Sequence, residues 1–218
     1  MVFSSVMFLF IFLPLTLLAY FALPKALRNF VLLIASLFFY AWGEPRNVFL
    51  MLLSILLNYC FGFLVEKDKQ YRKGFLFLSI VYNLAMLFVF KYWNFTMDTI
   101  GLIFNKEINY KAIALPIGIS FYTFQIMSYV IDVYKGKARV QRNILDLALY
   151  IALFPQLIAG PIVRYVDVEQ QIHNRTITLS SFKSGVVRFM IGFSKKVFFA
   201  DQLSIVVERA FNLSEQTG

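Results

Sequence analysis

The chain has 218 residues, of which 60% are hydrophobic, 18% aromatic and only 15% charged, and its mean hydropathy of +0.70 excludes a soluble domain of ordinary composition. Its formal net charge of +9 does not point to nucleic acid, because the Lys and Arg residues sit mainly in short segments between apolar runs, where topogenic charge belongs. A single cysteine, Cys60, and a single histidine, His173, exclude an internal disulfide and a thiolate metal cluster.

Residues 2–23 form the first apolar run, long enough to span about 30 Å of hydrocarbon, with Pro14 expected as a bend. No basic residue precedes it, and Lys25 and Arg28 follow it. It is therefore expected to be a retained span with the N-terminus outside, not a cleaved signal. Residues 30–42 form a shorter run closed by Gly43, Glu44 and Pro45. Residues 48–65 form a third, ending in the charged EKDKQYRK of residues 66–73, and the two are expected to pair as a helical hairpin. Residues 75–90 are the fourth run, followed by Lys91, Trp93 and a long polar connection through Asn105, Lys106, Glu107 and Asn109. Tyr92 and Trp93 have the character of an interfacial aromatic anchor. With the N-terminus outside, the basic clusters at residues 67–73 and 135–142 fall on the cytosolic side, as the positive-inside rule requires.

The fifth run, LPIGISFYTFQIMSYVIDVYKGK at residues 115–137, carries polar side chains that lipid does not tolerate. At 100° per residue, Gly118, Tyr122, Gln125, Tyr129, Asp132 and Gly136 share one stripe. A carboxylate at mid-depth costs about 2.5 to 3.5 kcal/mol on insertion scales, so the stripe must face another helix or a water-filled cavity. Hydrogen bonding between helices accounts for Tyr122 and Ser128, whereas Gln125 and Asp132 together suit a cavity.

Residues 144–160, ILDLALYIALFPQLIAG, are only marginally long enough to cross, and a crossing would put Arg164, Arg175, Lys183 and Arg188 outside. A re-entrant hairpin resolves this: Pro155 removes a helical hydrogen bond, Gly160 and Pro161 break the helix, and Arg164 returns to the cytosolic side. A kinked ordinary span is the alternative. Residues 166–181 are polar and contain a solvated His173, in a surface connection or short helix. Residues 181–212 are a further helical stretch in which Lys195 and Lys196 either snorkel or meet an anionic ligand. Walker loops, dinucleotide glycine fingerprints, nucleophile elbows and HExxH are absent from the sequence, as is any internal repeat or soluble second domain.

Three motifs then stand in one order: residues 115–137, FPQLIAGPIVRY at 154–165, and GFSKKVFFAD at 192–201, with YAWGEP at 40–45 upstream. Together they resemble the membrane-bound O-acyltransferase (MBOAT) family, in its bacterial alginate O-acetyltransferase-like branch. The resemblance implies an all-α, polytopic bundle with a broken or re-entrant helix, here one transmembrane domain over residues 1–218, in the bacterial cytoplasmic membrane. It implies transfer of an acyl group from a cytosolic donor, acetyl-CoA or another acyl thioester, to hydroxyls of an exported polysaccharide, with an extracytoplasmic acetyltransferase as partner and no bound cofactor or metal. The family's catalytic histidine belongs to a His-Gly-Ala and Trp motif that this sequence lacks, so none of these residues is expected to be catalytic and the fragment alone is expected to be inactive. Gln125, Tyr129, Asp132, Gln156 and Arg164 are the candidates for a polar substrate path, Arg164 because guanidinium pairs with phosphate in a forked geometry. Lys195 and Lys196 are candidate donor contacts. A transporter or flippase also uses broken helices, but commonly shows paired repeats. A non-catalytic membrane scaffold is the third reading.

Overall fold

The computed structural model describes residues 3, 5–106, 108–157 and 160–217. Among the described residues all regular structure is helical, and it falls into two compact units, Pro14–Asn174 and a second made of Val2–Leu13 and Arg175–Gly218.

In the first unit the order is α1 (Leu13–Ala22), α2 (Arg28–Gly43), α3 (Asn47–Lys67), α4 (Arg72–Leu87), α5 (Trp93–Phe104), α6 (Ile119–Tyr134), α7 (Ile144–Ala152), α8 (Phe154–Leu157) and α9 (Tyr165–His173). Three stretches, Lys25–Gly43, Asn47–Lys67 and Arg72–Phe104, are long and apolar enough to cross a membrane. A helix is what such sequences must form in lipid, since it satisfies every interior amide and carbonyl within the segment. The third stretch departs from expectation. It runs as one helical rod of 33 residues, through a widened π-type turn at Phe88–Tyr92, where the sequence had suggested a polar connection after Lys91. The polar residues beyond that turn do not end the helix: the hydroxyls of Thr96 and Thr99 fold back onto the carbonyls of Tyr92 and Phe95 at 2.7 Å each. The rod stops at Asn105, whose φ of 49° is left-handed, a conformation that Asn tolerates better than most residues.

The central element is α6, packed against α3, α4 and α9. Its predicted stripe is buried: Tyr122, Gln125, Tyr129 and Asp132 are all enclosed. Two glycines permit this. At Gly62 of α3 a Cβ would lie 2.9 Å from the Tyr129 hydroxyl, and at Gly118, where φ is +74°, a Cβ would lie 2.8 Å from the Leu157 carbonyl oxygen. The C-terminus of α6 closes as a Schellman motif, with Gly136 left-handed and the amide of Lys137 donating to the Asp132 carbonyl at 2.9 Å. Between α3 and α4, Asn58 and Asn83 exchange carboxamide hydrogen bonds at 2.7 and 3.2 Å, and Ser79 donates to Asn58 at 3.0 Å. All three are fully buried, which joins the two helices by polar contacts where lipid offers none.

The segment after α6 turns back on itself. At nine residues, α7 is about 13 Å long at the usual rise, far short of the hydrocarbon thickness. The Tyr150 hydroxyl donates to the Val163 carbonyl at 2.8 Å, and Tyr165 accepts from the Gln141 side chain at 2.9 Å. The chain has thus returned to the end at which α7 began. The break lies at Leu153, ahead of Pro155 and well before Gly160 and Pro161, where the sequence had suggested it. Proline cannot bond to the carbonyl four residues back and its ring clashes there, so the helix stops short of it, and Pro155 occupies the first turn of α8 where no amide is needed. Seven of the nine α7 residues are buried, in keeping with the rule that irregular backbone at membrane depth must be enclosed by protein. Residues 158 and 159 lie outside the described residues, and Gly160 is left-handed with φ +116°.

In the second unit, α10 (Leu179–Lys195) begins with a capping box in which Thr178 and Ser181 bond reciprocally, at 3.0 and 3.1 Å. A π-type turn at Lys196–Ala200 leads into α11 (Asp201–Thr217). Phe198, Phe199 and Phe211 are about two-thirds exposed or more.

Candidate functional site

The break between α7 and α8 splits one backbone hydrogen bond, that from the amide of Phe154 to the carbonyl of Tyr150. Side chains replace both halves. The Phe154 amide donates to the Ser36 hydroxyl of α2 at 3.2 Å, while Ser36 donates onward to the Leu32 carbonyl at 2.6 Å. The Tyr150 carbonyl accepts from Gln125 at 2.8 Å and from Gln156 at 2.5 Å. The structure therefore brings together two of the sequence-predicted site residues, on one carbonyl that has no partner in its own helix.

Tyr129 lies further along α6, with its hydroxyl accepting from the Gln141 amide at 3.0 Å. Its ring meets Tyr165 edge-on at 5.1 Å, and Tyr165 meets Tyr150 in the same manner at 5.3 Å. Edge-to-face contacts of this kind favour a fixed geometry, so three tyrosines from α6, α7 and α9 form one rigid block. Burial pushes the Tyr165 hydroxyl above the usual phenol range, and it stays a neutral hydrogen-bonding group.

Asp132 is 6% exposed, and its Oδ2 has no hydrogen-bond partner among the described residues. A buried carboxylate oxygen without a partner is costly, which marks it as a place where another group can bind. Arg164 is placed differently: it is exposed and reaches Asp167 one turn on at 3.5 Å. Lys195 and Lys196 belong to the second unit, where the Lys196 ammonium pairs with Asp201 at 3.0 Å.

His173 is exposed, as the sequence suggested, and also borders a polar cluster. Its Nδ1 lies 3.9 Å from Asp146 Oδ2, and its Nε2 lies 3.3 Å from the Gln141 amide nitrogen. Asp146 is held in turn by Asn29 at 2.9 Å and Asn143 at 3.1 Å, and Asn29 also donates to the Ile172 carbonyl at 3.0 Å. Gln141, Asn29, Asn143, Asp146 and Tyr165 thus tie α2, α7 and α9 into one polar junction that the sequence reading missed. Gln141 lay inside a segment read only for its positive charge, and Asn29 reaches Asp146 across 117 positions, so no local pattern announces either. Arg72 donates to the Tyr134 carbonyl at the end of α6 and lies over the Tyr134 ring, 4.4 Å from its centre, a favourable place for a cation.

No family model matches the sequence, and no solved structure matches it. The whole chain aligns with proteins named "Probable alginate O-acetylase AlgI": at 43% identity to that of Azotobacter vinelandii, covering 45% of it, and at 41% identity to that of Pseudomonas aeruginosa, covering 43% of it. A Helicobacter pylori protein named "Peptidoglycan O-acetyltransferase" is 30% identical over 97% of the chain and 47% of its own length. The chain spans about half the length of these curated relatives. The match runs over every residue of the chain, and relatives so named are what its motifs' resemblance to the alginate O-acetyltransferase-like branch of the membrane-bound O-acyltransferase family leads one to expect.

Proposed function

We propose that the protein to which these residues belong is a membrane O-acetyltransferase. It moves an acetyl group from a cytosolic thioester such as acetyl-CoA to hydroxyls of an exported polysaccharide, with an extracytoplasmic acetyltransferase as partner. The observation that carries this reading is the whole-chain identity of 41–43% with relatives named as alginate O-acetylases; the 30% match to a peptidoglycan O-acetyltransferase supports a glycan acceptor. The protein lies in the bacterial cytoplasmic membrane as a multi-pass protein with its N-terminus outside. The catalytic histidine is supplied by residues beyond position 218. Within this chain, Asp132 and Arg164 serve the donor side: the unpartnered Oδ2 of Asp132 accepts an N–H from the donor's amide-bearing arm, and the exposed guanidinium of Arg164 meets its phosphates.

The test uses the full-length protein in cells. Asp132→Asn and Arg164→Gln are expected to reach normal membrane abundance and to lose most polysaccharide acetylation, with no recovery when combined. The competing account is that the buried Asp132 serves only the fold; it requires loss of abundance in Asp132→Asn and unchanged acetylation in Arg164→Gln. Full acetylation by stable single variants refutes the donor-side role.

A further inference from the structure

The rod formed by α4 and α5 ends in a fold-back that the donor-side reading does not use. Asn94 of α5 clamps Ile113 from both sides, its Nδ2 donating to the Ile113 carbonyl at 2.8 Å and its Oδ1 accepting from the Ile113 amide at 2.9 Å. Tyr110 donates to the Asp98 carboxylate at 2.6 Å and lies 3.2 Å from the Asn94 carbonyl, and the carboxylate holds the Tyr110 hydroxyl above the usual phenol range. At the near end, the Lys106 amide donates to the Gly101 carbonyl at 3.0 Å. The Lys106 carbonyl then stands 2.9 Å from where a Gly101 Cβ would be, so only glycine lets the chain lie this close.

The fold-back encloses an open cleft of about 780 Å³, within the range of roughly 300 to 1,000 Å³ usual for small-molecule sites. Asp98, Asn105, Lys106 and Asn109 line it, with Met97, Leu102 and Ile108 as its apolar floor. A lipid tail would match none of the polar groups that Asp98, Asn105, Lys106 and Asn109 present. Among the described residues of the lining, a phosphate-rich ligand finds one ammonium opposed by one carboxylate. A sugar chain suits it: carboxylate and carboxamide oxygens accept from ring hydroxyls, amide and ammonium groups donate to them, and the apolar floor takes the C–H face of a ring.

We propose that this cleft is a docking site for a segment of hydroxyl-rich glycan, the acceptor chain of the transfer reaction. The inference rests on the acetyltransferase reading and its topology, because the cleft lies at the far end of the rod from Arg72 and its basic loop, which on that reading is the extracytoplasmic side. Docking here is binding and orientation; no bond is made or broken.

The probe is a defined alginate hexasaccharide, with a chitin-type oligosaccharide as a second probe, presented to the full-length protein in detergent and followed by saturation-transfer NMR. The wild type is expected to bind at least one probe. Asn109→Ala and Lys106→Gln, combined, are expected to weaken that binding at least ten-fold without moving the thermal midpoint. Asn105→Gly, which keeps the left-handed turn, is expected to weaken it as well. Undiminished binding by these variants, absence of binding by the wild type, or capture of a protein rather than glycan by a photo-crosslinker at position 109 overturns the proposal. If the oligosaccharide binds in the cleft but the full-length protein transfers no acetyl group from acetyl-CoA, the acetyltransferase reading fails and the glycan site stands.

Discussion

Replacing Gln125 and Gln156 with leucine, singly and together, tests how the broken helix is held. The Tyr150 carbonyl accepts from both side chains, at 2.8 and 2.5 Å, so either alone still satisfies it. Each single variant then loses one hydrogen bond and orphans nothing: about 0.5 to 1.5 kcal/mol by general experience, and on the order of 0.6 kcal/mol by the average for bonds between membrane helices. The double variant leaves a buried carbonyl with no partner from either side chain, which costs about 1 to 3 kcal/mol. With single costs near the membrane average, their sum is about 1.2 kcal/mol, and a double toward the upper part of its range exceeds that sum by on the order of 1 kcal/mol, within the range found for residues that share a partner. Unfolding in mixed detergent and SDS micelles, followed by tryptophan fluorescence, gives the four stabilities of the cycle. Strict additivity, or a double variant as stable as either single, would show that the carbonyl is satisfied by something else and would falsify this account of the break.

Gly118 and Gly136 are both left-handed, with φ of 74° and 70°, but only Gly118 faces a close neighbour, while nothing lies within 4 Å of a Cβ at Gly136. Gly136→Ala should thus cost only the backbone penalty of about 1 to 2 kcal/mol, and Gly118→Ala distinctly more; equal thermal midpoints would contradict the close approach of Leu157. For topology, Lys69→Cys in a background lacking Cys60, the exposed free thiol, should resist an impermeant reagent in intact cells and react after lysis. Labelling before lysis reverses the assigned orientation.

The apolar runs located α2, α3 and the start of α4 within a few residues, because hydrophobic length is a local property and Gly43, Pro45 and the charged residues 66–73 punctuate it. The stripe on α6 was equally legible, since spacing alone puts Tyr122, Gln125, Tyr129 and Asp132 on one face. The continuation through Lys91 and Trp93 was not. Polar residues there resemble a loop, and their compensation lies in tertiary contacts: Asn94 and Asp98 bond to a chain segment that follows the helix. The end of the helix was placed too late, at Gly160 and Pro161, because the steric reach of Pro155 extends back along the helix, while Ser36, which makes the break tolerable, sits 118 positions away from the amide it accepts from.

The uninterrupted rod from Arg72 to Phe104 bears on the bilayer itself. Its 33 residues extend about 50 Å at the usual rise, against a hydrocarbon layer of about 30 Å. A straight helix of that length has to lean steeply or thrust its last turns into the headgroups, and the bilayer adjusts at a cost that grows with each ångström of excess. The π-type turn at Phe88–Tyr92 lies where such a rod can yield, because a helix bends most readily where its hydrogen-bond ladder is widened. Membrane thickness would then act on the rod as a mechanical load with its bend at this turn, and the angle of α5 would differ between thin and thick lipids while α3 and α6 kept their packing.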